Sequence, residues 1–174
     1  MHKPFSSFLS RLCILLGILF SASLSFSQQF HLKNYRINDG LAGISVTCIL
    51  QDSRGYIWIG TKDGGISRFD GKTFVNYNKQ SGVGDNAINC LFEDKTGNIW
   101  IGTQKNGVTK FNGYEFIQYN KSSIKNIDKI FSDSSGTIFL YSFPQLYKLQ
   151  GDSIIENAII LIIKKIRNSG EFST

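Results

Sequence analysis

Residues 52–74 read D-S-R-G-Y-I-W-I-G-T-K-D-G-G-I-S-R-F-D-G-K-T-F, and residues 94–116 read D-K-T-G-N-I-W-I-G-T-Q-K-N-G-V-T-K-F-N-G-Y-E-F. Extended outward, residues 35–76 and 77–118 align without a gap at a spacing of 42, with 14 of 42 positions identical. The repeated pairs are Asp52/Asp94, Gly55/Gly97, Trp58/Trp100, Gly60/Gly102, Gly65/Gly107, Phe69/Phe111 and Gly71/Gly113, together with Cys48/Cys90. A third, weaker copy starts at Tyr119, with Asp133 and Gly136 standing 39 residues after Asp94 and Gly97. Its first loop has therefore lost about three residues, and Phe139 stands where the other copies carry Trp. A fixed period of this length is the mark of a repeat architecture.

Each copy reads as four strands. The first is the apolar run of residues 46–50, repeated at 88–92. In D-x-x-G, Asp opens and Gly closes a type I turn. Residues 57–61 (I-W-I-G-T) make a second strand, Gly64-Gly65 reverses the chain, and residues 66–69 make a third. Asp70-Gly71 and Asn112-Gly113 read as two-residue type I′ hairpins into a fourth strand, a turn that needs positive φ at both positions. Four short antiparallel strands in about 40 residues predict a β-propeller blade. The fold class is all-β, an incomplete propeller of about three blades where closed propellers have about 4–8. The unbroken apolar run Ile57-Trp58-Ile59 fits a sheet covered on both faces. The blades fall at residues 35–76, 77–118 and 119–152. Residues 153–174 are expected to open a degraded fourth blade, or else to form an irregular tail.

The N-terminus reads differently. Lys3 and Arg11 precede an uncharged apolar run over residues 12–24, and small residues follow at Ser25 and Ser27. This is a secretory signal peptide over residues 1–27, and it predicts export into the periplasm or the extracellular space. Cys13 lies inside that segment as a bystander. The formal net charge is +6, but the 14 basic and 11 acidic residues of positions 28–152 alternate in sign. No basic patch forms, so nucleic acid is not an expected partner. Three Cys and two His in separate contexts supply neither a metal set nor a disulfide framework. His2 leaves with the signal and His31 stands alone. No cofactor, metal or catalytic residue is expected.

The motifs at 52–74 and 94–116, with the approach Y-R-I-N-D-G-L at 35–41, resemble the two-component regulator propeller repeat. That family forms the periplasmic sensor region of hybrid histidine kinases. The resemblance implies a ligand-sensing propeller, an oligosaccharide as ligand, and a kinase reached through a membrane span that residues after 120 do not contain. Two readings from other classes stay open. One is an exported carbohydrate-active hydrolase or lyase built on a propeller. The other is a non-signalling interaction propeller completed by self-association or by further blades, because three blades leave two unpaired edges.

The repeated residues have structural roles in this reading. Asp52, Asp94 and Asp133 recur once per copy at a turn, and catalysis does not need a carboxylate in every repeat. Trp58 and Trp100 are expected to pack between blades and not to stack on a sugar. Cys48 and Cys90 are expected to be buried free thiols. The candidate ligand-binding residues sit at loop tips on one face: Lys62, Asp63, Asp85, Asn86, Gln104, Lys105 and Asn106.

Overall fold

A computed structural model describes residues 32–119, 124–151 and 153–156. The chain divides into two compact units, Met1–Asn34 and Tyr35–Thr174. The signal-peptide expectation with Cys13, His2 and His31, and the tail after residue 156, lie outside the described residues. The second unit holds three four-stranded antiparallel sheets. Blade 1 is β1 (Val46–Gln51), β2 (Ile57–Thr61), β3 (Ile66–Phe69) and β4 (Phe74–Tyr77). Blade 2 is β5 (Ile88–Glu93), β6 (Ile99–Thr103), β7 (Val108–Phe111) and β8 (Phe116–Tyr119). Blade 3 is β9 (Lys129–Ser132), β10 (Ile138–Ser142), β11 (Gln145–Gln150) and β12 (Ser153–Glu156). In every sheet the strands follow chain order, as a propeller blade requires.

The third blade corrects the expected boundary at residue 152. Ser153–Glu156 pairs antiparallel with β11, with Gln150 opposite Ser153, so it is the outer strand of blade 3 and not the start of a fourth blade. The physical reason is the turn at Gly151, which has φ 57 and folds the strand straight back. The hairpins at Asp70 and Asn112 are corrected too. Phe69 pairs with Phe74 and Phe111 with Phe116, which leaves four-residue loops at 70–73 and 112–115. Among the described residues only glycines have positive φ, Gly71 at 96° and Gly113 at 100°. The preceding Asp or Asn acts through its side chain instead. Asp70 Oδ1 accepts from the Lys72 and Thr73 amides, and Asn112 Oδ1 accepts from those of Tyr114 and Glu115. These are side-chain turns that leave Asp and Asn in an ordinary backbone conformation.

The core lies between blades. Trp58 is fully buried and clusters with Val83, Ile88, Ile99, Ile101 and Phe111 of blade 2 and its approach. Trp100 repeats this against Ile127, Ile130, Leu140 and Tyr147 of blade 3. Gly60 and Gly102 mark the closest approach. A Cβ on Gly60 would stand 2.5 Å from Cys48 Sγ and 2.7 Å from Ile88 Cγ2. The inner strands β1 and β5 also carry a bulge, at Thr47 and at Asn89. The bulged side chain reaches the following blade: Thr47 Oγ1 donates to the Ile88 carbonyl at 2.6 Å, and Asn89 Nδ2 to the Ile127 carbonyl at 3.2 Å. Burial of apolar faces and a polar staple at the inner edge thus act on the same joint.

Candidate functional site

The D-x-x-G turns are built by their carboxylates. Asp52 Oδ1 accepts from the Arg54 and Tyr56 amides at 3.0 and 2.9 Å, while Gly55 donates to the Asp52 carbonyl. Its other oxygen accepts from Trp58 Nε1 at 2.9 Å and from Arg54. Asp94 repeats the scheme with Thr96, Asn98 and Trp100, the indole standing at 2.8 Å. Burial pushes the Asp52 and Asp94 carboxyls up, but the hydrogen bonds from Trp, backbone and neighbours outweigh it and hold both below the usual carboxylate range. Every lone-pair direction these carboxylates offer is engaged in holding a turn or an indole. The constant spacing of six from Asp to Trp was the signal for this link, and the repeat comparison passed over it.

Cys48 and Cys90 are free and half-buried. Burial pushes the Cys90 thiol up to about 12 and also raises Cys48, so neither is a thiolate nucleophile near neutral pH. Among the described residues no group of three His, Cys, Asp or Glu side chains is placed to hold a metal.

The loop tips are ordered by threonines. Thr61 Oγ1 donates to the Gly65 carbonyl at 2.8 Å and accepts from the Gly64 amide at 3.0 Å. Thr103 does the same with Gly107 and Asn106. This presents Lys62 and Asp63 on one blade, and Gln104 and Lys105 on the next, as exposed tips, with Asn106 partly covered. The approach to blade 2 runs between these loops. The Asn86 carbonyl accepts from Gly65 and the Ala87 carbonyl from Gln104, both at 2.9 Å. Asn106 Nδ2 donates to the Gly84 carbonyl at 2.8 Å. Asn86 is itself fixed by the Lys79 amide on its Oδ1 at 2.9 Å. Asp85 accepts from the Asn86 amide with one oxygen, and its Oδ2 is buried without a hydrogen-bond partner. The fold therefore brings residues 84–87 against both loops, so the seven candidate positions lie along one face of two blades.

A depression of about 390 Å³ lies on the approach to blade 1, lined by Tyr35, Ile37, Leu41 and Ile44. A groove of about 740 Å³ runs between the outer parts of blades 1 and 2, lined by Arg68, Tyr77, Phe111, Tyr114 and Glu115. None of the seven loop residues lines either one. Arg68 is held by aromatic faces, its guanidinium carbon 4.7 Å above the Tyr56 ring and 5.8 Å from that of Trp58.

A family model described as two component regulator propeller matches residues 40–63 and 82–105. Each match covers an approach, an inner strand, the Asp turn, the Trp strand and the first residues of a loop tip. Each of these two segments, in blades 1 and 2, is a two-component regulator propeller repeat. Over 61 residues the chain is 39% identical to histidine kinase P4 of Formosa agariphila, which covers 35% of this chain and 4% of that protein. Among solved structures, the extracellular domain of a putative hybrid two component system from B. thetaiotaomicron superposes with a TM-score of 0.59 at 25% identity. That match covers 68% of this chain and 19% of the other, so these repeats span under a fifth of that relative's length. Virginiamycin B lyase from Staphylococcus aureus superposes with a TM-score of 0.58 at 17% identity, over 67% of this chain and 42% of the lyase. At that identity the likeness is one of fold, and it brings no lyase chemistry to this chain.

Proposed function

We propose that these blades are part of an exported sensor propeller that binds an oligosaccharide on the face formed by Lys62, Asp63, Asp85, Asn86, Gln104, Lys105 and Asn106. The supporting observation is that the two matched segments, 40–63 and 82–105, end at these tips and contain the approach that runs between them. Residues 1–27 direct export, which places the blades outside the cytoplasm, in the periplasm of a host with two membranes. The chain binds and does not catalyse. A ligand that spans tips of two blades favours one packing of those blades over another, and that differential affinity is the whole of the signal. A kinase across the membrane reads it in the complete system. Mixed charges and amides at the tips suit polar, hydroxyl-rich ligands better than apolar ones.

The test is thermal melting of the protein against a panel of neutral and acidic oligosaccharides. A true ligand at a hundredfold excess over its Kd stabilises the fold by about 2.7 kcal/mol. We expect at least one member to raise the melting temperature, and the double variant Asp63→Ala/Lys105→Ala to abolish the shift. A saccharide that stabilises the variant equally moves the site off this face. A panel without any effect removes carbohydrate from the proposal.

A further inference from the structure

The third strands of the blades carry a cation at one register. Arg68 stands opposite Trp58, Lys110 opposite Trp100 and Lys148 opposite Phe139. In blade 2 the Lys110 ammonium lies 5.6 Å from the Trp100 ring and 5.8 Å from that of Tyr119. A lysine stem with its point charge is therefore enough to cover the indole. Blade 1 has more. Its cation is a planar guanidinium, whose carbon lies 4.7 Å from the Tyr56 ring, 5.8 Å from Trp58 and 5.9 Å from Tyr77. The counterpart of Tyr56 in blade 2 is Asn98, whose amide donates to Asp94 and Thr96. Three rings thus hold a flat cation in blade 1, where two hold a point charge in blade 2.

Rings that pack on a guanidinium face leave its N–H edge available. Among the described residues Arg68 forms no ion pair and donates no side-chain hydrogen bond. It lines the groove of about 740 Å³ between the outer parts of blades 1 and 2. Ser81 adds a hydroxyl to that groove, and the hairpin of blade 2 adds Tyr114 and Glu115. The Tyr114 ring is 95% exposed. Glu115 is also exposed, and its Oε1 accepts from Asn112 Nδ2 at a long 3.4 Å. The equivalent hairpin of blade 1 carries Lys72 and Thr73 at these two places.

We propose that this groove binds an acidic saccharide, its carboxylate held by the Arg68 fork and a sugar ring packed on Tyr114. The fork matches two carboxylate oxygens at once, which a lysine cannot do. Glu115 and Ser81 are the acceptors for sugar hydroxyls. A neutral saccharide forgoes the charge-assisted pair on Arg68. An acidic peptide supplies a carboxylate but no sugar face for Tyr114. None of the seven loop-tip residues lines this groove, so the inference stands apart from the tip site proposed above.

Calorimetric titration of the protein with trigalacturonate, maltotriose and triglutamate tests it. Trigalacturonate is expected to bind at least about tenfold more tightly than either of the others, the scale of one hydrogen bond to a charged group. Arg68→Lys keeps a stem over Trp58, as Lys110 does over Trp100, and should weaken trigalacturonate about tenfold. Tyr114→Ala removes an exposed ring and should weaken it about threefold with the melting temperature unchanged. Asp63→Ala/Lys105→Ala should leave this binding as it was. No binding of trigalacturonate overturns the proposal. Equal binding of maltotriose removes the role of the charge, and equal binding of triglutamate makes the occupant a peptide; either overturns it too. Affinity that survives both groove substitutions but falls in the tip variant assigns the ligand to the loop tips and ends the groove reading.

Discussion

Blades 2 and 3 share a turn and differ in almost everything attached to it. Asp94 and Asp133 both accept from two backbone amides, at positions two and four residues on. Asp94 also accepts from an indole, which is lost in blade 3 where Phe139 takes the Trp position. Phe139 is only half-buried and stacks on Phe131 at 5.5 Å. At the place of Gly60 and Gly102 blade 3 has Tyr141, opposite Lys129 and not opposite Cys. Its loop between second and third strands shrinks to Phe143-Pro144, with a cis peptide bond, where blades 1 and 2 carry the long tips. The common part is therefore what a single blade needs to fold. The parts that vary are those that meet a neighbouring blade or stand out as loop tips.

The largest expected effect comes from the indole. Trp58→Ala removes a fully buried ring from the joint of blades 1 and 2 and should cost about 3–5 kcal/mol in denaturant melts. Phe139→Ala, at the equivalent place in blade 3, should cost roughly 1 kcal/mol because only part of its ring leaves water. Equal losses would break the contrast and show that blade 3 is packed as tightly as the others. Next comes glycine. Gly102→Ala puts a methyl into Cys90 Sγ and 2.9 Å from Ile127 Cγ2, and should destabilise by about 1–3 kcal/mol. A neutral result in the same melts would mean that blade 3 can move away from blade 2 at little cost.

The repeat made much of this legible. Period, strand count and the D-x-x-G turn were written in the sequence because each is a local demand, met by an Asp acceptor and a Gly at positive φ. The hairpin at Asp70 was misread because Asp-Gly serves two turn chemistries, and only the register Phe69 with Phe74 tells them apart. The end of blade 3 was misplaced because Ile154-Ile155 and the apolar run over residues 158–163 stand two residues apart, which hid where one strand stops. The tips at Lys62, Asp63, Gln104 and Lys105 could be picked out as polar loops. That Asn86 and Ala87 tie both loops together depends on contacts between blades, which no single repeat encodes.

The smallest effect is the most specific to the comparison. Asp52 and Asp94 have folded-state pKa values below the usual carboxylate value, so they contribute stability that is complete above the unfolded value of about 3.9 and is lost as pH falls through the folded one. Asp133 is lowered as well, by Ser135 and the Thr137 amide, but it carries no indole. Asp52→Asn keeps an oxygen for the Arg54 and Tyr56 amides and turns an N–H donor toward Trp58 Nε1, itself a donor. It should cost about 1–2 kcal/mol at pH 7, the scale of one hydrogen bond to a charged acceptor. It should also flatten the loss of stability below pH 4, because one proton fewer is taken up on unfolding. Asp133→Asn preserves every turn bond that Asp133 makes to the backbone and should change the melt at pH 7 less than Asp52→Asn does. If both substitutions cost the same at pH 7, the indole adds nothing to the turn, and Trp58 is held in place by packing alone.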